Sequence, residues 1–336
     1  MNLTEDHQRK FCVQSSSCLE NESTAVDVLF YVSAAAAVFL TVCGNLLVII
    51  SICHFKQLHT PTNLLLLSLA VADLLVGITV MPFHFIMLIE SCWVFGTMFC
   101  SIFNLFLFNL TCVSIYNVAF IAVDRYIALY DPFLYSTKIT VKSGLIVSFF
   151  IWFLSFLYNI IFLNFNGLFT ENNITCPGEC MFQCSAMCSL DFVVVFVLPC
   201  SSIIVMYLNI FAIAKKHANT ITSVSKQHTK ASEGMHHTMA SERKAAKRLG
   251  ILVSVFILFL LPCYLGLLST VLSFENTSLY IDMMNIFGCI PLLNSSINPI
   301  LYALLYPWFQ KSAKVILTLR IFSSESSHIN VLPETS

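Results

Sequence analysis

Apolar residues run along this chain in blocks whose length, more than their periodicity, carries the information. About 20 apolar residues cross the hydrocarbon core of a bilayer as one helix. Stretches near 27-53, 62-89, 100-123, 143-165, 189-214, 248-273 and 281-306 all reach that length, so the pattern predicts an all-α membrane protein, a seven-transmembrane helix bundle. A polar segment, 1-26, precedes the membrane domain of 27-306, and 307-336 follows it with a short interfacial helix near 308-320 and a tail. No basic region with a cleavage site stands before the first block, which therefore reads as a retained helix.

The last block is interrupted where a plain lipid-spanning helix would not be. Asn294, Ser295 and Asn298 stand inside it, followed by Pro299, Tyr302, Tyr306 and Trp308-Phe309. Proline removes a backbone hydrogen bond and clashes with the preceding turn, and asparagines at bilayer depth are costly unless they face a polar interior. The segment is therefore built to bend around a wet cavity. Asn45, Asp73 and Ser114 add polar groups in other spans. With Asn294, Ser295 and Asn298 they form a set of oxygen ligands suited to a small cation such as sodium, and equally able to hold only ordered water.

Composition supports the membrane reading. The chain is 57% hydrophobic and 10% charged, which argues against a soluble globule, and no nucleic-acid partner is expected. Of the 17 Lys and Arg, only Arg9 and Lys10 precede the first span; the rest fall in alternate loops or the tail. The positive-inside rule then places the N-terminus outside, the C-terminus inside, and the Lys-, Ser-, Thr- and His-rich stretch 215-247 as the third cytoplasmic loop. Glycosylation signals at Asn2, Asn21, Asn173 and Asn276 share the outer side, whereas Asn109-Leu110-Thr111 lies within a span. Eight of the 14 cysteines (Cys12, Cys18, Cys92, Cys100, Cys176, Cys180, Cys184 and Cys188) lie at or near the outer face, where disulfides persist. Cys43, Cys112, Cys200, Cys263 and Cys289 lie in spans and suit packing as small apolar residues. No phosphate loop, zinc helix or nucleophile elbow is present, so no enzyme and no resident cofactor are expected. A transporter or channel remains a rival because of Asp73, but the repeats and paired broken helices it predicts are not found.

Asp124-Arg125-Tyr126 sits at the cytoplasmic end of the third span. Arg125 can pair with Asp124 and, across the bundle, with Glu242 at the start of the sixth span, closing the inner face as a two-state latch. An ordinary helix-end ion pair would look the same. Its company argues for the latch: Pro199 and Tyr207 in span five, Phe256 and Pro262 in span six, Pro299 and Tyr302 in span seven. With Gly44-Asn45, Leu69-Ala70-Val71-Ala72-Asp73, Cys100, Trp152 and Asn298-Pro299-Ile300-Leu301-Tyr302, these residues make the whole membrane domain resemble a rhodopsin-class G protein-coupled receptor. Within that class the chain is similar to the trace amine-associated receptors. The likeness lies in the run from Asn294 to Phe309, in the segment from His54 to Asn63, in Met81-Pro82-Phe83 and in Cys176-Pro177-Gly178-Glu179-Cys180.

The resemblance implies a multi-pass receptor of the plasma membrane, surrounded by lipid, that binds a small extracellular amine. It also implies a heterotrimeric G protein partner of the stimulatory or olfactory type and a rise in cyclic AMP. By the same likeness Cys100 bonds Cys180 and Cys18 bonds Cys176, with Cys12 a rival for Cys18. Pro199, Ile115 and Phe256 match the class as a trio beneath the pocket, and Arg125, Tyr207 and Tyr302 match the residues that help form the cytoplasmic cleft.

Two departures redirect the ligand question. Amine receptors of this type usually anchor the ammonium on a span-three acid eighteen residues before the Arg of the Asp-Arg-Tyr motif, and here that place is Leu107. Span five instead carries Asp191, eight residues and roughly 12 Å before Pro199. A subset of trace amine-associated receptors, known chiefly from fish, is similar in this respect. Asp191 is therefore the expected anchor, against the alternatives that it favours a helix N-terminus or is solvated at the rim. Phe108, Thr111, Phe192 and Tyr264 are expected to line the pocket by family position, with Glu90, Glu179 and Asp282 nearer the mouth. The second departure is Leu260, which stands where the class usually places Trp, two residues before Pro262. A receptor for a non-amine odorant, favoured by Leu107, stays open.

Overall fold

The computed structural model of the chain describes residues 25–90, 93–166, 180, 187–224, 248, 250–266, 277–323 and 326–332, and only the backbone of 187–188, 214–224 and 277–287. Every described element is helical. Span one is Ala25–His54, span two is Pro61–Thr79 continued by Met81–Glu90, and span three is Thr97–Tyr130. Span four is Val141–Phe165, span five passes through Met187–Asp191, Phe192–Val197 and Leu198–Val224, and span seven is Thr277–Leu305. These six spans contain helices long and apolar enough to cross a bilayer, and the shorter apolar helix Gly250–Gly266 stands where span six is expected. An amphipathic helix, Pro307–Leu317, follows span seven after Tyr306.

Local chemistry sets several boundaries. Thr60 accepts from the Asn63 N–H ahead of Pro61, and Thr140 and Ser143 cap each other at the start of span four. Span two breaks at Val80, just before Pro82, which lacks an N–H and crowds the turn behind it. Span three continues to Tyr130, about two turns beyond the apolar pattern. Asp124 and Arg125 therefore stand within an unbroken helix.

Spans two and three lie mostly inside the bundle, whereas spans one and four turn most of their surface outward. That surface is apolar, with Phe39, Phe149, Phe150 and Phe153 exposed, as contact with lipid requires. Trp152 Nε1 donates to Ser68 Oγ at 3.0 Å and fastens span four to span two. The Cys100–Cys180 disulfide, with Cα atoms 5.6 Å apart, ties the N-terminal end of span three to the segment before span five, as expected. Asn104 donates to the Cys100 carbonyl at 2.9 Å beside it. Trp308 and Phe309 are buried and hold the amphipathic helix against the bundle.

Several expectations lie outside the described residues: the Cys18–Cys176 pairing with its rival Cys12, the glycosylation sites Asn2, Asn21, Asn173 and Asn276, and the acids Glu179 and Glu242. The side chain of Asp282 is likewise not described.

Gly44 governs how closely span one approaches span seven, because a Cβ there would stand 2.6 Å from the Cβ of Pro299. Gly44→Val should destabilise the bundle by about 1–3 kcal/mol through overpacking, seen as a lower thermal unfolding midpoint in detergent. An unchanged midpoint would contradict this contact.

Candidate functional site

Asp191 is 4% exposed, so its carboxylate is buried and not solvated at a rim. Such a group needs donors, and Tyr158 of span four donates to its Oδ1 at 3.0 Å. Directly after Asp191 the helix widens into a π turn over Phe192–Val197, in which the Leu198 N–H reaches the Val193 carbonyl. Pro199 gives the physical reason: without an N–H, and with a ring that crowds the carbonyl four residues back, it loosens the ladder just ahead of itself. The Val194 carbonyl, passed over by that shift, accepts from the Tyr116 hydroxyl of span three at 3.0 Å. Tyr264 of span six forms the facing wall, its ring 4.3 Å from Phe196 and 6.1 Å from Phe192.

The other residues expected around a ligand separate into two groups. Phe108 turns toward span four, 5.7 Å from Phe162, which stacks on Tyr158 at 6.0 Å. Half-buried Leu107 supplies its carbonyl to Thr111 Oγ1 at 2.7 Å. Thr111 lies deeper, in the wall of a small cavity shared with Ser114, Phe256, Leu260, Asn294 and Ser295. The structure thus gathers Asp191, Phe192 and Tyr264, reaches Phe108 through Tyr158, and gives Thr111 to the cavity below. Tyr158 and Tyr116 are absent from the expected set. A phenol in an apolar span is visible in the sequence, but spacing along one span does not say what it meets on another.

The intramembrane polar set does assemble. Asp73, 1% exposed, accepts from Ser295 Oγ and Asn298 Nδ2, both at 2.7 Å. Asn45 bridges spans one and seven by donating to the Thr41 and Ser295 carbonyls at 2.9 and 3.0 Å. Thr41 and Ser296, not expected in the cluster, share a hydrogen bond of 2.6 Å between their hydroxyls. Ser114 Oγ and Asn294 Oδ1 are buried without a hydrogen-bond partner among the described residues. Those two residues line the small cavity together with Ser295, one of the two donors to Asp73. No cluster of His, Cys, Asp and Glu suited to a metal occurs among the described residues.

Near the C-terminal end of span three Arg125 is enclosed by its own neighbourhood. It donates to Asp124 Oδ2 at 2.8 Å and to the Tyr135 hydroxyl at 2.9 Å, and it contacts Thr62 Oγ1. Thr62 and Tyr135 in turn donate to Asp124 at 2.6 and 3.0 Å. Burial raises the Tyr135 phenol above its ordinary range even though the Arg125 charge opposes this, which keeps it a neutral donor. Thr62 lies in the first turn of span two and Tyr135 on the short helix Pro132–Lys138, so this cluster joins three elements. Tyr126 stands apart, stacked on Tyr130 at 5.4 Å. Tyr207 and Tyr302 bury hydroxyls that have no hydrogen-bond partner among the described residues. Ile115, Phe256 and Pro199 are all buried in the central core.

Residues 44–302 match the family described as 7 transmembrane receptor (rhodopsin family). The chain is 40% identical over 331 residues to trace amine-associated receptor 13c of Danio rerio, covering 96% of each chain. It is 38% identical over 347 residues to trace amine-associated receptor 7c of Rattus norvegicus, covering 99% of this chain and 93% of that one. Trace amine-associated receptor 7a of Mus musculus is 39% identical over 332 residues, with coverages of 95% and 90%.

The two donors to Asp73 generate a direct test. Ser295→Ala or Asn298→Ala leaves one buried carboxylate oxygen short of a hydrogen bond, at a cost of about 1–3 kcal/mol. Each should lower the unfolding midpoint in detergent; midpoints equal to the parent's would remove Asp73 from its assigned place between spans two and seven.

Proposed function

The chain belongs to the rhodopsin family of seven-transmembrane receptors and, within it, to the trace amine-associated receptors, and from that premise we propose a chemosensory receptor for extracellular amines whose ammonium docks on Asp191. It is a multi-pass plasma-membrane protein and a receptor, not an enzyme. The observation that carries the ligand reading is the buried Asp191 carboxylate, with Tyr158 on Oδ1 and the rings of Phe192 and Tyr264 nearby. A carboxylate at bilayer depth is costly, and function is its default reading. An ammonium meets it with a charge-assisted hydrogen bond, and aromatic walls add roughly 0.5–2 kcal/mol of cation–π attraction. The names of the relatives, trace amine-associated receptors, support the same ligand class. Leu107 supplies no charge, so the anchoring falls to span five.

The amine shifts the receptor's equilibrium only as far as it binds one conformation better than another. In the favoured conformation span six swings outward at Pro262 and Arg125 leaves Asp124, Thr62 and Tyr135. Arg125, Tyr207 and Tyr302 then help shape a cytoplasmic cleft for a heterotrimeric G protein of the stimulatory or olfactory type, which raises cyclic AMP. Asp124, Tyr126, Glu242, Ile115, Pro199, Phe256, Asn298 and Pro299 serve the same switch. Asp73, Ser114, Asn294, Ser295 and Asn298 would hold a sodium ion that favours the resting conformation. The N-terminus faces outward, with glycans on Asn2, Asn21, Asn173 and Asn276 and a second disulfide between Cys18 and Cys176. Leu107 favours one other reading, a receptor for a neutral odorant.

A cyclic-AMP screen of monoamines, diamines and neutral odorants separates these readings. Asp191→Ala should raise the half-maximal amine concentration at least a hundredfold while surface expression stays at the parent level. An unchanged amine potency would remove Asp191 from the anchor role, and responses confined to neutral odorants would remove the amine reading itself.

A further inference from the structure

Span five departs from regular geometry immediately after its one buried acid. In a continuous α-helix each residue turns about 100°, so a residue eight positions before Pro199 would point about 80° away from it around the axis. The π turn at Phe192–Val197 absorbs one extra residue. Asp191 then behaves as though it were seven positions away, about 20° from the direction of Pro199. Pro199, Cys200 and Ile203 are buried, and so is Asp191, whereas Val193, Val197 and Leu198 face outward. The π turn is thus what carries the inward face of the helix up to the carboxylate.

Two phenols on neighbouring spans hold that arrangement. The Tyr116 hydroxyl donates to the Val194 carbonyl, which the π turn leaves without its helical partner because the Leu198 N–H has gone to Val193. If the segment rewound into an α-helix, the Leu198 N–H would satisfy the Val194 carbonyl again and the Tyr116 hydroxyl would become a second, less needed donor to it. The Tyr158 hydroxyl fixes the other end, on Asp191 Oδ1. We propose that Tyr116 and Tyr158 are positioning residues for the amine site: Tyr116 pins the π turn that aims Asp191 inward, and Tyr158 fixes the carboxylate so that Oδ2 is presented to the ammonium. Neither needs to touch the ligand to act. The gain is pre-organisation, since a carboxylate already rotated and held in one rotamer loses less freedom on binding. The assignment of a role in amine recognition rests on the reading of Asp191 as the anchor; the aiming of residue 191 by Tyr116 does not.

Two measurements on the full-length receptor at the cell surface test the pair separately from the amine reading. The first is the half-maximal concentration of the most potent member of a panel of isobutylamine, isopentylamine, cyclohexylamine and 1,5-diaminopentane. Tyr116→Phe and Tyr158→Phe should each raise it about five- to twentyfold, as loss of one hydrogen bond implies. Tyr116→Trp, which keeps an N–H donor, should recover most of the loss. The second needs no ligand: the rate at which a cationic methanethiosulfonate reagent, applied outside, labels Asp191→Cys above the background of the unsubstituted receptor. Adding Tyr116→Phe should slow that labelling at least fivefold. If no amine acts on the parent but labelling slows, the amine reading fails and the aiming of residue 191 by Tyr116 survives. If labelling is unchanged, or if both Phe variants keep the parent's amine potency, the proposal is overturned. A drop in surface level with neither quantity altered overturns it as well, because Tyr116 would then serve folding alone.

Discussion

A buried carboxylate must collect donors from whatever helices surround it, and three carboxylates among the described residues meet that demand with side chains of other helices. Asp73 in span two draws Ser295 and Asn298 from span seven. Asp191 in span five draws Tyr158 from span four. Asp124 in span three draws Thr62 from span two and Tyr135 from the short helix Pro132–Lys138, besides its neighbour Arg125. Lipid drives helices together only weakly, because it is as apolar as the side chains it touches. These polar junctions, with the disulfide at Cys100, therefore set which faces of the helices meet.

The same constraint explains where the helices are irregular. Pro82 breaks span two and Pro199 opens a π turn in span five, whereas Pro291 and Pro299 stand inside span seven, whose helix continues through both. Each leaves a backbone carbonyl without its helical partner, and in span five the freed Val194 carbonyl is taken by Tyr116. A carbonyl satisfied by a side chain of another helix has an alternative, the helical ladder itself.

Much of the fold was legible in the residues because lipid imposes a simple rule of length. Blocks of about 20 apolar residues mark the spans, and Thr60-Pro61 and Thr140 mark two of their starts. The polar set around Asp73 was legible for a related reason: few polar residues tolerate that depth, so those present must find one another. Cys100 and Cys180 pair as the family likeness implies. The extent of span three was not legible, since its last two turns carry charge and stand beyond the apolar block.

Composition and order along the chain thus settled the class of protein, the number of crossings and which residues are too polar to be idle in lipid, because those follow from how each residue partitions between water and hydrocarbon. The partners did not follow from order. Tyr158 meets Asp191, Tyr116 meets the Val194 carbonyl, and Arg125 is enclosed by Thr62 and Tyr135 across separations of 33, 78, 63 and 10 residues. Such meetings depend on the rotation of each helix about its own axis, which a single turn of irregular geometry can change by about 100°. Helix rotation is fixed by packing against neighbours and by where freed carbonyls find donors, and both exist only once the bundle has closed.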